Sequence, residues 1–299
     1  MSNAIKPLMI MAPAPGRWPA LQDLVGHKGR PWLADIERRV LHGVLGSLDV
    51  YAVIPSGGQF LASACIDKFG DVGVLGHVFT RPEHRRRGYA RQVMETVLGW
   101  FDMTGGQWLF LGTTAELDAS LYAKFGFTPL RRAVWAPHDR LTMVRAGKRA
   151  EGDPLAEVRG DVVVREVNRA HWPAMVTLLQ YRAGPDPRVP LEETAVTAEV
   201  FTLDLIDHQE RGACRLFGAF RGQRLVGLGT VASDRPGERT YAVVIPHSGA
   251  PAELREAVVR WAQNKGYGQV DFPMEGLAVE QAPAPVADGR LGSDEGSGK

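Results

Sequence analysis

Apolar residues recur along this chain with two periods, and their order sets the first expectations. Over residues 32–44, Leu33, Ile36, Val40, Leu41 and Val44 share one face of a 3.6-residue period, which predicts an amphipathic helix. Two apolar runs, 51–54 and 61–66, flank Pro55-Ser56-Gly57-Gly58 and read as a hairpin. A third run, 72–80, stops at Arg81-Pro82, because proline cannot donate to a central ladder. Val93, Val97, Leu98 and Phe101 then stripe a helix over 90–103, and residues 108–112 form a short buried-type strand. A short helix over 118–125 is closed by Gly126, with Phe127 beyond it.

The second half repeats this rhythm. Residues 162–164 lead into a helix over 170–180, and the runs 216–220 and 225–231 flank Arg221-Gly222-Gln223-Arg224 as another hairpin. A strand over 241–245, an amphipathic helix over 252–264 and a strand at 270–272 follow. Hairpin, strand, helix and strand thus occur twice, about 160 residues apart, which predicts a duplicated mixed α/β unit. Between the halves, residues 146–161 mix charges with Gly147, Gly152, Pro154 and Gly160 and read as a linker. The expected division is a first domain over 1–147, a second over 160–275 and a tail over 276–299. The tail has too few large apolar residues to offset the entropy of ordering it.

Composition narrows the functional classes. With 35 basic and 34 acidic side chains the chain carries almost no net charge, so it is not expected to bind nucleic acid. Cys65 and Cys214, the only cysteines, are too few for a disulfide framework or a cysteine-built metal site, and the eight histidines show no metal-ligand spacing. No metal is expected. The first residues lack the apolar core of a signal peptide, and no stretch approaches the ~18 apolar residues of a membrane span. A cytoplasmic protein without a membrane partner, monomeric or homodimeric, is the resulting expectation.

The most informative stretch runs from Gly76 through Arg85-Arg86-Arg87-Gly88-Tyr89-Ala90 to Arg91. A strand ends, a glycine-containing turn follows, and a helix opens on its far side. The first N–H groups of a helix lack acceptors, and the helix dipole adds positive potential there, so such a turn suits phosphate oxygens. Gly88 permits close backbone approach, and small Ala90 keeps the first helical turn open. Three adjacent arginines at a helix start oppose the dipole unless an anion sits between them.

Arg85, Gly88 and Ala90, preceded by Pro82-Glu83-His84, resemble the acyl-CoA pyrophosphate loop of the GNAT superfamily of N-acyltransferases. Leu121-Tyr122-Ala123-Lys124-Phe125-Gly126-Phe127 resembles that family's second signature, in the expected order. The resemblance covers residues 51–130 in detail. It implies a GNAT-like first domain that binds acetyl-CoA through residues 85–91, and a second, degenerate GNAT-like domain. In that second domain Pro246-His247-Ser248-Gly249-Ala250-Pro251 stands where the arginine–glycine turn would be.

The resemblance further implies backbone pairing of Val78, Phe79 and Thr80 with the pantetheine arm, and a general-acid role for Tyr122. A phenol of reference pKa ~10 is protonated at neutral pH and can donate to a departing thiolate. The attacking amine must also lose a proton. His77, with a reference pKa ~6.5, is the candidate base; Asp71, Glu83 and Asp118 are weighed beside it and none is singled out by position. The expected activity is acetyl transfer from acetyl-CoA to an amine. An acyl-thioester decarboxylase or S-acyl transferase on the same scaffold, and a CoA-binding module without catalysis, are the alternatives.

Overall fold

The computed structural model describes residues 5–113, 116–130, 141–152, 158–181, 198–232, 240–244, 251–266 and 270–271. The expected tail over 276–299 and most of the segment 245–251 lie outside the described residues. Among the described residues the first half forms a seven-stranded sheet. In chain order it contains β1 (Leu8–Met11), α1 (Trp18–Val25), α2 (Trp32–His42), β2 (Leu48–Ser56), β3 (Gln59–Phe69) and β4 (Val72–Thr80). There follow α3 (Tyr89–Met103), β5 (Trp108–Thr113), α4 (Glu116–Ala123), β6 (Thr128–Pro129) and β7 (Leu141–Ala146). The strands lie in the order β1-β2-β3-β4-β5-β7-β6. Neighbours are antiparallel except β4 and β5, whose crossover is α3.

The second half contains β8 (Val163–Glu166), α5 (Trp172–Tyr181), α6 (Ala198–Glu210), β9 (Cys214–Arg221), β10 (Arg224–Ala232), β11 (Thr240–Val244), α7 (Pro251–Asn264) and β12 (Val270–Asp271). Its five strands lie in the order β12-β11-β10-β9-β8, antiparallel except the parallel pair β11 and β12. Two helices precede the hairpin and one helix crosses between the parallel strands, as in β1 to β5. The duplication expected from the hydrophobic rhythm is therefore present in strand order and direction.

Apolar alternation decides the layers. One face of the first sheet packs on α3, with Ile54, Ile66, Leu75, Val97, Phe101 and Leu111 in a shared core. The other face is covered in two parts. α1 and α2 cover Tyr51, Val53, Phe60 and Cys65. Val74 and Phe69 instead pack into a core with Trp172, Met175, Leu178 and Leu179 of α5, which also contains Leu216, Phe220 and Leu228 of the second sheet. A single helix of the second half is thus shared between both sheets. Leucine, methionine and tryptophan around most of its circumference make that position favourable, since a helix apolar on all sides is stable only when covered on all sides.

Candidate active site

The candidate site starts with an extra residue in β4. Cys65 pairs with Gly76, but Ser63 pairs with Phe79, so two steps on β3 face three on β4. This is a β-bulge around His77, which has a φ of 54°. Ser63, fully buried, donates from its hydroxyl to the His77 carbonyl at 2.9 Å and holds the bulge in place. The consequence appears on the opposite edge. β4 and β5 pair only at Val72–Trp108, Gly73–Leu109 and Val74–Phe110. Beyond that point β4 stays with β3, while all six residues of β5 stay with β7. Among the described residues the sheet splits from Leu75 onward and leaves a length of β4 backbone without a strand on that side.

Directly after β4 the chain makes a single 3-10 turn, Pro82–His84, and then enters α3 through a strained turn. Arg81 anchors that turn: its Nε donates to the Phe60 carbonyl at 2.9 Å and its Nη2 to the Asp23 carboxylate. Arg86 has a φ of 60° and the N-cap Gly88 one of 80°, two left-handed residues within three positions. For arginine this conformation is unfavourable, and strain of this kind collects where backbone geometry matters to function. A Cβ on Gly88 would meet nothing nearer than Arg91 Nη2 at 3.9 Å, so φ, not crowding, selects glycine.

No side chain caps α3, and its first backbone bond from the turn runs from Gln92 N–H to the Gly88 carbonyl at 3.1 Å. The N–H groups of Gly88, Tyr89, Ala90 and Arg91 therefore have no intrahelical acceptor. Around them the guanidinium groups are held loosely at the surface. Arg85 donates to the Thr80 carbonyl at 3.3 Å, Arg87 to the Glu83 carbonyl at 3.3 Å, and Arg91 faces Glu95 at 4.0 Å. Arg85, Arg86, Arg87 and Arg91 are all exposed, so the turn presents unsatisfied donors inside a positive field.

Val78, Tyr89, Tyr122, Phe125 and Leu141 are each partly buried and packed against the α3 core. Tyr122 lies in the last turn of α4, where its carbonyl accepts from Phe125 at 2.9 Å and Phe127 at 3.3 Å. Its ring meets Phe127 edge-on at 6.1 Å. Phe79 points to the opposite face and stacks with His27 of the α1–α2 connection at 4.2 Å. Thr80 Oγ1 and His77 Nδ1 are buried without a partner, and both belong to the length of β4 that has left β5.

The His77 ring meets Trp32 edge-on at 5.8 Å. Burial, reinforced by the positive charge of Lys28, pushes its pKa down to about 3. The imidazole is therefore neutral at any physiological pH, able to exchange hydrogen bonds but reluctant to hold a proton. Asp71 sits at the closed end of the strand, its carbonyl taking the N–H groups of Gln107 and Trp108. Six residues of strand, roughly 20 Å, separate it from His77. Glu83 is an exposed residue of the 3-10 turn, and the side chain of Asp118 lies outside the described residues.

Two contributors carry no signal in the sequence. Ser63 looks like one more small residue in an apolar strand; only pairing register reveals what its hydroxyl holds. Trp32 opens a predicted helix without any sign that its ring would reach β4. Among the described residues there is no group of three or more His, Cys, Asp or Glu placed to hold a metal, and no helix long and apolar enough to cross a membrane.

Residues 18–127 match the family model described as "Acetyltransferase (GNAT) family". The span takes in α1 through α4, and with it the bulged strand, the split and the left-handed turn. The chain thus carries, in its first half, a domain of the GNAT acetyltransferase family. No curated protein matches the chain.

Among solved structures, Escherichia coli ElaA is similar at 20% identity over 47% of this chain and 99% of its own, with a TM-score of 0.39. The Escherichia coli ribosomal-protein-S18-alanine N-acetyltransferase is similar at 16% identity over 50% and 100%, with a TM-score of 0.39. A tandem GNAT protein from the clavulanic acid biosynthesis pathway spans 87% of each chain at 13% identity and a TM-score of 0.37. These likenesses are distant; the domain assignment stands on the family match and the strand topology.

Proposed function

We propose that the chain is an acetyl-CoA-dependent N-acyltransferase whose first domain binds the thioester and carries out the transfer. The observation that carries this reading is the left-handed turn at Arg86 and Gly88, set where β4 leaves β5. Backbone donors at residues 88–91 suit the diphosphate, and Arg85, Arg86 and Arg87 supply attraction. The free edge of Val78, Phe79 and Thr80 suits the amide-bearing pantetheine arm, which would pair as an added strand. The residues present fit the molecule.

The reaction is direct transfer. The amine nitrogen forms a bond to the thioester carbonyl carbon, the C–S bond breaks, the thiolate takes a proton from the Tyr122 hydroxyl, and solvent returns a proton to the phenolate. The neutral His77 ring is suited to orient the amine by a hydrogen bond, and the proton lost by nitrogen passes to solvent. Holding both reactants in one cleft supplies much of the barrier reduction, so a strong base is not required.

A panel of small amines, amino acids and peptides, assayed for CoA thiol release with acetyl-CoA, tests the reading. Millimolar acetyl-CoA is expected to raise the melting temperature, because a ligand that binds only the folded state stabilises it. It should do so for the wild type and not for Gly88→Glu. An unchanged melting temperature for the wild type would sink the reading. Acetyl-CoA formed from malonyl-CoA without any acceptor would point to decarboxylation instead.

A further inference from the structure

We propose that the second unit is a positioning module for the acceptor side of the first unit's cleft, acting through Trp172 on Trp32 and so on the bulge of β4. The word acceptor rests on the acyl-transfer reading above; the coupling itself rests on the contacts between the two units.

Those contacts form a continuous wall. Trp172 opens α5 and is 2% exposed. Its Nε1 donates to the Glu199 carbonyl of α6 at 3.3 Å, which ties the indole to its own unit. Its ring then meets the Trp32 ring at 6.2 Å and 84°, and Trp32 in turn meets His77 at 5.8 Å and 78°. The Arg39 guanidinium of α2 lies over the Trp172 ring, 5.4 Å from its centre. Three aromatic rings in edge contact, reaching from the second unit to the bulge, leave Trp32 little freedom to turn without displacing its neighbours.

A second seam fixes the same helix by charge. Asp35, one turn after Trp32 on α2, accepts from Arg169 of the second unit, and Arg169 also reaches Asp207 and Glu210 of α6. Arg38 of α2 meets Glu210 as well. The helix that carries Trp32 is therefore held to the second unit on two of its turns.

Geometry separates what this seam can affect from what it cannot. The turn at Gly88, Tyr89 and Tyr122 belong to the face of the first sheet covered by α3, which its own core fills. Trp32, His77 and α5 stand on the opposite face. If the thioester occupies the split from the α3 side, an attacking nucleophile must come from the side that Trp32 walls. The second half has kept its fold and lost the arginine–glycine turn in its sequence. A wall requires the fold alone.

The test uses the full-length protein and two substitutions, Trp172→Leu and the milder Trp172→Phe, with folding checked by circular dichroism. The first readout needs no substrate. The imidazole resonances of His77 are followed by NMR on histidine-labelled protein and assigned by their loss in His77→Gln. They are expected to move in both variants.

The second readout is kinetic, with acetyl-CoA and whichever amine the panel identifies. The KM for the amine should rise about tenfold, as a small misplacement of a positioning group does. The KM for acetyl-CoA should stay within twofold. Unmoved His77 resonances in a folded variant overturn the proposal, and so does an equal rise in both KM values, which would mark general softening. Should the wild type acylate no amine, the acyl-transfer reading fails by itself and the resonance readout still decides the coupling. If Trp172→Leu does not fold, the same two readouts on Trp172→Phe decide between support and refutation.

Discussion

Arg169 of the second unit and Asp35 of the first form a buried ion pair across the seam, 5% and 6% exposed respectively. Arg39 donates to the other oxygen of the same carboxylate at 2.7 Å and to Asp49 at 3.0 Å. Burial alone would raise the Asp35 pKa, but the two guanidinium groups outweigh it and hold the carboxyl below the usual range. Replacing Asp35 with Asn leaves two buried guanidinium groups short of charge. The expected loss of unfolding free energy is about 3–5 kcal/mol, read from urea denaturation. The pair Asp35→Leu with Arg169→Met should cost much less than the sum of the single changes, since it removes both charges together. Additive losses would show that the two residues do not act on each other.

Stability should bend with pH in two identifiable windows. Burial raises the Asp67 pKa to about 8, although Arg39 lowers it in part. The folded form thus keeps a proton that the unfolded chain releases near pH ~4, so this contribution fades as pH rises from ~4 towards ~8. His77 acts oppositely: depressed to about 3 when folded, it contributes above its unfolded pKa of ~6.5 and the contribution is lost as pH falls below that. The two windows overlap in acid. Between pH ~6.5 and ~8 only Asp67 changes, and the melting temperature should fall. Asp67→Asn should flatten that limb; an unaltered slope would remove Asp67 as its cause.

Gly88→Ala separates conformation from bulk at the turn. The added methyl has room, but a left-handed φ of 80° costs a residue with a Cβ roughly 1–2 kcal/mol. Relief of that strain would re-aim the N–H groups at residues 88–91. Calorimetric titration with CoA should show binding weakened at least about tenfold, equivalent to ~1.4 kcal/mol. Unchanged affinity would place the diphosphate elsewhere.

Tyr122→Phe keeps the ring that packs against Phe127 and deletes only the hydroxyl. If that hydroxyl protonates the thiolate, kcat should fall about 10²-fold while acetyl-CoA affinity holds. A loss of affinity with kcat preserved would make the residue a packing element beneath the ligand.

Much of the first domain is legible from periodicity and punctuation. The strand expected to end at Thr80 coincides with the observed β4, because Arg81-Pro82 offers no way to continue the ladder. The helix starting beside Gly88 also stands where the motif put it. β1 and α1 leave no clear pattern, because Pro13, Pro15, Gly16 and Pro19 interrupt it around short segments. α6 is equally hard to see, because its hydrophobic stripe is weak and its buried set includes Glu199, Thr202 and Gln209.

The seam is beyond reach for a different reason. Asp35 and Arg39 stand four apart on a helix, a spacing that exposed ion pairs share, yet both are buried, bonded to each other and, through Asp35, to a residue 134 positions away. Local sequence carries no record of such a partner. Nor does it record the bulge, which is a mismatch between two strands and not a property of either.

That mismatch also changes which side of the sheet each position addresses. Leu75 and Val78, three apart, both join the core beneath α3, while Val74 and Phe79, five apart, both turn the other way. In an uninterrupted strand odd separations would put each pair on opposite sides. Regular pairing of β4 with β3 at unchanged length, without the bulge, would therefore reverse every position downstream. Phe79 would be driven towards α3 and Val78 towards His27, so the reading frame of the strand is itself a determinant of what surrounds a bound ligand.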